Sequence, residues 1–387
     1  PAGPNRKESG LMEFGIFNSL YIPQRLVDEN GAAAEHRRLR DEIDWVIAAD
    51  KAGFKYTWAT EHHFLEEYSH LSANESFLGY AAAVTKNIRI ASGIMNATPP
   101  VNHPARLAER AAMLDLLSDG RFELGLGRGS STTEQRGFGI EDPELTRDMF
   151  DETVPEIVKM WRDGEYPGFE GEFFSMPARN VLPKPLTKPH PPLWVAAGSP
   201  STFEKAGQMG LGVLCFSMAP PKVLAPAIEA YKKAIAECDD PVGDFVNDNV
   251  MMTTQMLCLE DGDRARQIGT DITSGYHDSL VFRYLDTFPR PPGIPLWPEL
   301  IPEPTAEGLR KATAKGMTLV GDPDECSAAI EQYQAIGADQ LTFGMLSTTM
   351  PIEVAIEAIE TFGKHVLPNW DKDPVCRTTH QREALAG

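Results

Sequence analysis

"HPARLAERAAMLDLLSDGRFELGLGRG", residues 103–129, reads as one complete helix-then-strand unit. Pro104 stands at a first-turn position, where a missing N–H leaves no helical bond unmade, and Gly120 stops the pattern. Residues 122–129 then run as a strand that is apolar almost throughout. A strand without polar alternation is one buried on both faces, as in a parallel sheet covered by helices.

The same unit recurs along the chain. Strand-like runs occupy residues 12–18, 56–63, 88–96, 122–129, 193–199, 212–218, 250–260 and 339–346. Amphipathic segments such as "EHRRLRDEIDWVIAADKAG" (35–53) lie between them. Eight strands alternating with helices predict an α/β fold, a closed (β/α)8 TIM barrel in preference to an open doubly wound sheet. The chain exceeds the usual barrel by residues 130–192, after strand 4, and 261–338, after strand 7. Both insertions follow strand C-termini, so they are expected to build up the catalytic face. Within the second, the stretch 286–308 is too proline-rich for regular structure and reads as a lid or a disordered segment. Residues 1–11, polar and rich in Pro and Gly, are expected to be a disordered leader; 12–368 form one domain and 369–387 a C-terminal tail.

Composition excludes several classes. The 387 residues carry a formal net charge of −20, which argues against nucleic acid or an anionic membrane as partner. Five scattered cysteines (Cys215, Cys238, Cys258, Cys326, Cys376) form no C-x-x-C pair. That disfavours a zinc ribbon or disulfide framework and points to a reducing cytoplasm. No apolar run of membrane-spanning length occurs, and no secretory signal is expected.

Four stretches fall where barrel strands end. "YTWATEHHFLEE" (56–67) sets His62 beside His63. Adjacent strand residues point to opposite sides, so only one of the two is expected in the barrel mouth. A metal site, normally H-x-H from one strand, is disfavoured, with Glu61 and Glu66 the acids that would complete one. A catalytic base and a pair of hydrogen-bonded structural histidines both remain open. "LGLGRGSSTTEQRGFG" (124–139) surrounds Arg128 with glycines and hydroxyls, as a phosphate cradle would. Those glycines equally suit turns and close packing. They do not make the G-x-G-x-x-G dinucleotide fingerprint. "VAAGSPSTFEKAGQMG" (195–210) ends a strand at Gly198 and opens a helix with Ser199, Ser201 and Thr202. This is either an anion site at a helix start or plain N-capping. Two such loops point to a phosphorylated cofactor. In "ASGIMNATPPVNHPARLAER" (91–110), Gly93 to Ala97 suit a strand end under a flat ligand, and His103 is expected to be structural.

Taken in order, "MEFGIFN", "EHHF", "NHPARLAERAAMLDLLSDGRFELGLGRGS", "VAAGSPSTFEKAGQMGL", "GDPDEC" and "QLTFGML" resemble the bacterial luciferase-like flavin monooxygenases, from about Met12 to Pro368. The resemblance implies a two-component enzyme that takes reduced FMN (FMNH2) from an NAD(P)H:flavin reductase. With O2 it would oxygenate a small organic substrate (aldehyde, ketone or other apolar compound) through a flavin C4a-(hydro)peroxide. It implies a homodimer, with His62 as the catalytic acid/base and Glu61 beside the flavin. Arg128, Arg147, Ser199 and Thr202 are implied to hold the phosphate, with Gly198 in place of an acidic residue. A non-prolyl cis peptide is implied at Met95–Asn96. Gly127 stands where the luciferase α subunit has a reactive cysteine, and Ser131 where an aromatic is usual. Those departures set light emission and a long-chain aldehyde pocket in question. An F420-dependent oxidoreductase and a non-catalytic flavin-binding subunit are the rival readings.

Overall fold

The computed structural model describes residues 12–162, 164–288 and 290–384. The leader expected at 1–11 lies outside the described residues. Twelve strands occur in chain order: β1 (Glu13–Asn18), β2 (Tyr56–Ala59), β3 (Arg89–Ser92), β4 (Met95–Asn96), β5 (Phe122–Gly127), β6 (Tyr166–Glu170), β7 (Ser175–Arg179), β8 (Leu193–Ala196), β9 (Gly212–Cys215), β10 (Val250–Cys258), β11 (Leu319–Gly321) and β12 (Gln340–Gly344). Eight of them pair in parallel around a closed ring, β1-β2-β3-β5-β8-β9-β10-β12 and back to β1. These are the eight strands expected from the sequence, each trimmed at its ends. The extra pieces are small. β4 extends the ring beside β5, β11 pairs with the far end of β10, and β6–β7 form an antiparallel hairpin inside the first insertion.

The pairing register sorts the side chains. Outward-facing Phe14 and Phe343 meet Phe54 and Phe362 of the helical layer in one aromatic cluster. Each such ring contributes about 1.5–3 kcal/mol by leaving water. Inward-facing Tyr56, Trp58, Ala91, Trp194, Leu214 and Met251 fill the barrel. Trp58 and Trp194 meet edge to face at 5.2 Å. Both indoles place their N–H on an acceptor, Gln340 Oε1 at 2.8 Å and Glu123 Oε2 at 2.7 Å.

Residues 369–384 extend beneath the barrel. Asp371 takes a 2.8 Å bond from Lys55 Nζ. The Arg377 N–H donates to Glu13 Oε1 at 2.9 Å, and Thr378 Oγ1 to Glu123 Oε1 at 2.7 Å. Glu123 also pairs with Arg89, and both are buried. The segment separated as a tail therefore seals the N-terminal end of the barrel, leaving the C-terminal end for a ligand.

The two insertions add helices Thr132–Gly137, Leu145–Trp161, Gly262–Asp271, Ser274–Tyr284 and Ala306–Ala314, of which Leu145–Trp161 joins the helical layer, Trp161 Nε1 donating to Ala108 O at 2.9 Å. Among the described residues, 285–305 carry no regular element, as the prolines there predict. They are tied down by Thr287, whose N–H and Oγ1 both donate to Ser130 O, and by Asp286, which accepts from the Thr132 N–H at 2.8 Å and from its hydroxyl. No helix among the described residues is long and apolar enough to cross a membrane.

Candidate active site

A chamber of about 280 Å³ opens at the C-terminal end of the barrel. Its wall includes Glu61, His62, Arg128, Gly198, Ser199 and Thr202. An annex of about 180 Å³ continues it past Arg128 and Thr202 to Arg147 and Lys205. Residues from Glu61 to Lys205, 144 positions apart in the sequence, therefore meet around one space.

His62 lines the chamber and His63 does not. Strand alternation is not the cause, because β2 ends at Ala59, before either histidine. A carboxylate from the first insertion separates them instead. Glu134 Oε1 lies 3.2 Å from His62 Nδ1 and accepts the His63 N–H at 2.8 Å. The His63 ring turns to Glu61 Oε1 at 3.2 Å and packs edge-on against Phe138. With Nδ1–H donating to Glu134, the His62 Nε2 is left as a base without a protein partner among the described residues. Glu61 is fully engaged, since it also accepts from Asn102 Nδ2 at 2.8 Å and from the Asn96 N–H at 3.3 Å. It orders the loops around the chamber. His103 is structural, as expected: its Nδ1 caps the helix Pro104–Leu117 by accepting from the Ala105 N–H.

The cis peptide is misplaced in the sequence reading. The structure has it at Gly93–Ile94, not at Met95–Asn96. Gly93 and Ile94 line the chamber, whereas Met95 is completely buried in the core. The Asn96 side chain turns back to Thr98, accepting from its N–H and hydroxyl. Both residues leave the wall because they pair with β5 as a short strand of their own.

The anion features are concentrated at the annex. Arg128 is half-buried and donates to Thr146 Oγ1 at 2.9 Å. Burial, and then the positive charge of Arg147, push its pKa down. Among the described residues no carboxylate stands within ion-pair distance of Arg128. Arg147 reaches only Glu144, at 3.8 Å on the surface. Lys205, which sequence reasoning missed although it lies in the quoted 195–210 stretch, pairs with Asp151 at the annex wall. Two neighbouring guanidinium groups, with Glu144 and Asp151 as the nearby carboxylates, can take an anion.

Ser199 and Thr202 form a reciprocal cap on the helix Pro200–Gln208. Thr202 Oγ1 accepts the N–H groups of Ser199 and Gly198. The capping reading is thus realised, and the same hydroxyls line the chamber. Gly127 lies close under Ile94: a Cβ there would come within 2.8 Å of the Ile94 side chain, so glycine lets Ile94 pack onto this wall. Thr60 Oγ1, in the same wall, is buried without a hydrogen-bond partner. A phosphorylated ring cofactor fits this donor set: cations and capped N–H groups at one end, a slender apolar wall and His62 at the other.

Comparison with known proteins agrees with that geometry. Residues 12–340 match the family model described as luciferase-like monooxygenase. The oxygenase component of a flavin-dependent trigonelline monooxygenase from Acinetobacter baylyi is 27% identical over 95% of this chain and 98% of its own. The crystal structure of monooxygenase RslO1 from Streptomyces bottropensis superposes with a TM-score of 0.75 at 27% identity, covering 93% of this chain and all of that one. An FMN-bound type II Baeyer–Villiger monooxygenase from Pseudomonas putida shares the fold, with TM-score 0.73, 20% identity and coverage of 92% and 98%. F420-dependent dehydrogenases also match. Matched to its family model from residue 12 to residue 340, the chain belongs to the luciferase-like monooxygenase family.

Proposed function

We propose that this protein is the oxygenase of a two-component system, binding FMNH2 delivered by an NAD(P)H:flavin reductase and using O2 to oxygenate a small organic substrate. The observation that carries this reading is the Arg128–Arg147 pair, which stands beside a chamber that His62 lines. The name of the 27%-identical oxygenase component supports the need for a reductase.

Arg128, Arg147 and Lys205 would hold the phosphate, with the Ser199 and Thr202 loop beside them. Gly93, Ile94 and Gly127 would form the slender wall along the ring. Reduced FMN supplies the activation of O2 when bound. His62 holds or gives up a proton at Nε2, and Glu134 fixes the ring so that Nε2 is the available nitrogen. Leu285, Thr287 and Phe288 cover the chamber and restrict water. A non-catalytic flavin subunit would have no use for so oriented a base. The five unpaired cysteines suit a cytoplasmic setting, and a homodimer is part of the same reading.

The deazaflavin F420 is the rival cofactor, on the strength of the F420-dependent relatives. Anaerobic titration with reduced FMN and with reduced F420 separates the two. Saturable FMNH2 binding, followed by oxygen uptake on aeration, is expected. Binding of F420 alone, with no oxygen uptake, would overturn the proposal.

A further inference from the structure

A second chamber of about 270 Å³ lies beyond the first, and Phe17, Tyr68, Phe216 and Thr253 belong to the walls of both. Its other walls come from the helix Ala33–Ala52, the helix Ser274–Tyr284 and the segments after β1 and β12. We infer that this chamber receives the organic substrate as a small cation, with Asp278 facing the positive centre. The inference rests on the first chamber being the flavin site.

The wall is polar without being satisfied. Four of its side chains, all at most 5% exposed, carry an atom with no hydrogen-bond partner: Tyr21 Oη, Arg38 Nε, Glu42 Oε2 and Trp45 Nε1. His277 Nδ1 and Thr348 Oγ1, in the same wall, are also unpartnered. A folded chain rarely leaves so many buried polar atoms unmatched at one place. They make the surroundings of the chamber polar, a setting that suits a polar or charged ligand better than a purely apolar one.

The sign of the charge follows from an account of the wall. Arg38 Nη2 lies 2.9 Å from Glu42 Oε1, so these two buried charges offset each other. His277 is held neutral, its pKa pushed down to about 4 by burial and then by Arg38. Asp278 is left over. Its one hydrogen bond is a long 3.4 Å contact from Gln255 Nε2, and among the described residues no basic side chain pairs with it. Burial, with Glu303 adding a like charge, raises its pKa to about 7. A carboxyl in that setting lacks a cation. A cationic ligand would supply it, while an anion would meet Asp278 with Arg38 already committed to Glu42. The rings of Tyr21, Tyr68, Phe17 and Phe216 add faces that favour a cation over its neutral isostere.

The test uses three flat probes of similar size on the full chain: N-methylpyridinium, toluene and benzoate. Calorimetry at pH 8 is expected to give N-methylpyridinium an affinity at least tenfold above the other two. Its binding requires ionised Asp278, so affinity falls about tenfold from pH 8 to pH 6, given a pKa of about 7. The other groups facing Asp278 leave that slope to it. His277 stays neutral, Arg38 and Glu42 are paired, Gln255 does not titrate, Glu303 is engaged by the Gly275 and Tyr276 N–H groups, and Tyr21 and Tyr68 are pushed upward by burial. Asp278→Asn is expected to abolish both the preference and the slope, with FMNH2 affinity unchanged as evidence of folding. Equal binding of toluene or benzoate, or a cation preference that survives D278N, overturns the inference. A cation preference in a chain that does not bind FMNH2 overturns the flavin reading instead.

Discussion

His62 and Glu134, 72 residues apart, meet at 3.2 Å through Nδ1 and Oε1, and the same oxygen holds the His63 backbone. One carboxylate thus decides which of two adjacent histidines is presented to the chamber and which ring nitrogen it offers.

Removing the His62 imidazole should therefore damage turnover far more than binding. We expect His62→Ala to lower the oxygenation rate by roughly 10²–10⁴-fold, the usual contribution of a positioned acid/base. FMNH2 affinity should change by less than about threefold. Rapid-mixing kinetics alongside anaerobic titration checks both, and an unimpaired rate would remove His62 from the mechanism.

Arg128 should be felt mainly through the phosphate. Arg128→Ala is expected to weaken FMNH2 by roughly 1.5–3 kcal/mol, the range for a hydrogen bond to a charged group. Reduced riboflavin, which lacks the phosphate, should bind wild type and variant alike. A parallel loss for both flavins would place Arg128 in a purely structural role.

Asp278 gives a stability signature of definite sign. Its folded pKa of about 7 lies above the ordinary value of 3.8. The stability it contributes is complete below pH 3.8 and is lost as pH rises to 7. Asp278→Asn removes that loss. The gain in Tm of the variant over wild type should be near zero at pH 4, grow to pH 7 and then level off, as differential scanning calorimetry would record. A gain independent of pH would contradict the buried, unpaired state.

At the barrel floor, Arg89→Met should strand Glu123, which is completely buried. The remaining donors, Trp194 and Thr378, do not neutralise its charge. Breaking such a pair from one side costs roughly 3–5 kcal/mol. Urea unfolding is the measurement, with FMNH2 affinity of the folded fraction expected to hold.

The roof should govern coupling. Asp286→Asn weakens the charged clasp on Thr132 while leaving the Thr287–Ser130 bonds in place. More hydrogen peroxide per FMNH2 consumed is expected, with little change in Tm. Unchanged peroxide yield would mean that this clasp does not control access.

The barrel was legible in the sequence because each strand is a largely apolar run between turn residues, a local signal. The anion loops at 124–139 and 195–210 were legible for the same reason: glycines and hydroxyls there are consecutive. What escaped depends on partners distant in sequence. Glu134, not the alternation of β2, separates His62 from His63. The pairing of Met95 and Asn96 with β5 moves the wall back to Gly93 and Ile94. Lys205 and Asp151 are ordinary helix residues until the insertion folds them together. Asp278 carries no local mark, because its lack of a counter-charge is a property of the space around it.

The sealed floor also has a meaning in time. Glu13 in the first strand and Glu123 in β5 receive their last donors from Arg377 and Thr378. A chain emerging from the ribosome would expose those acids, and an open rim on β1, until β12 and then the helix Arg377–Glu383 have been made. The barrel should thus become native only once residue 378 has left the ribosome, and nascent chains stalled before residue 377 should be clients for chaperones.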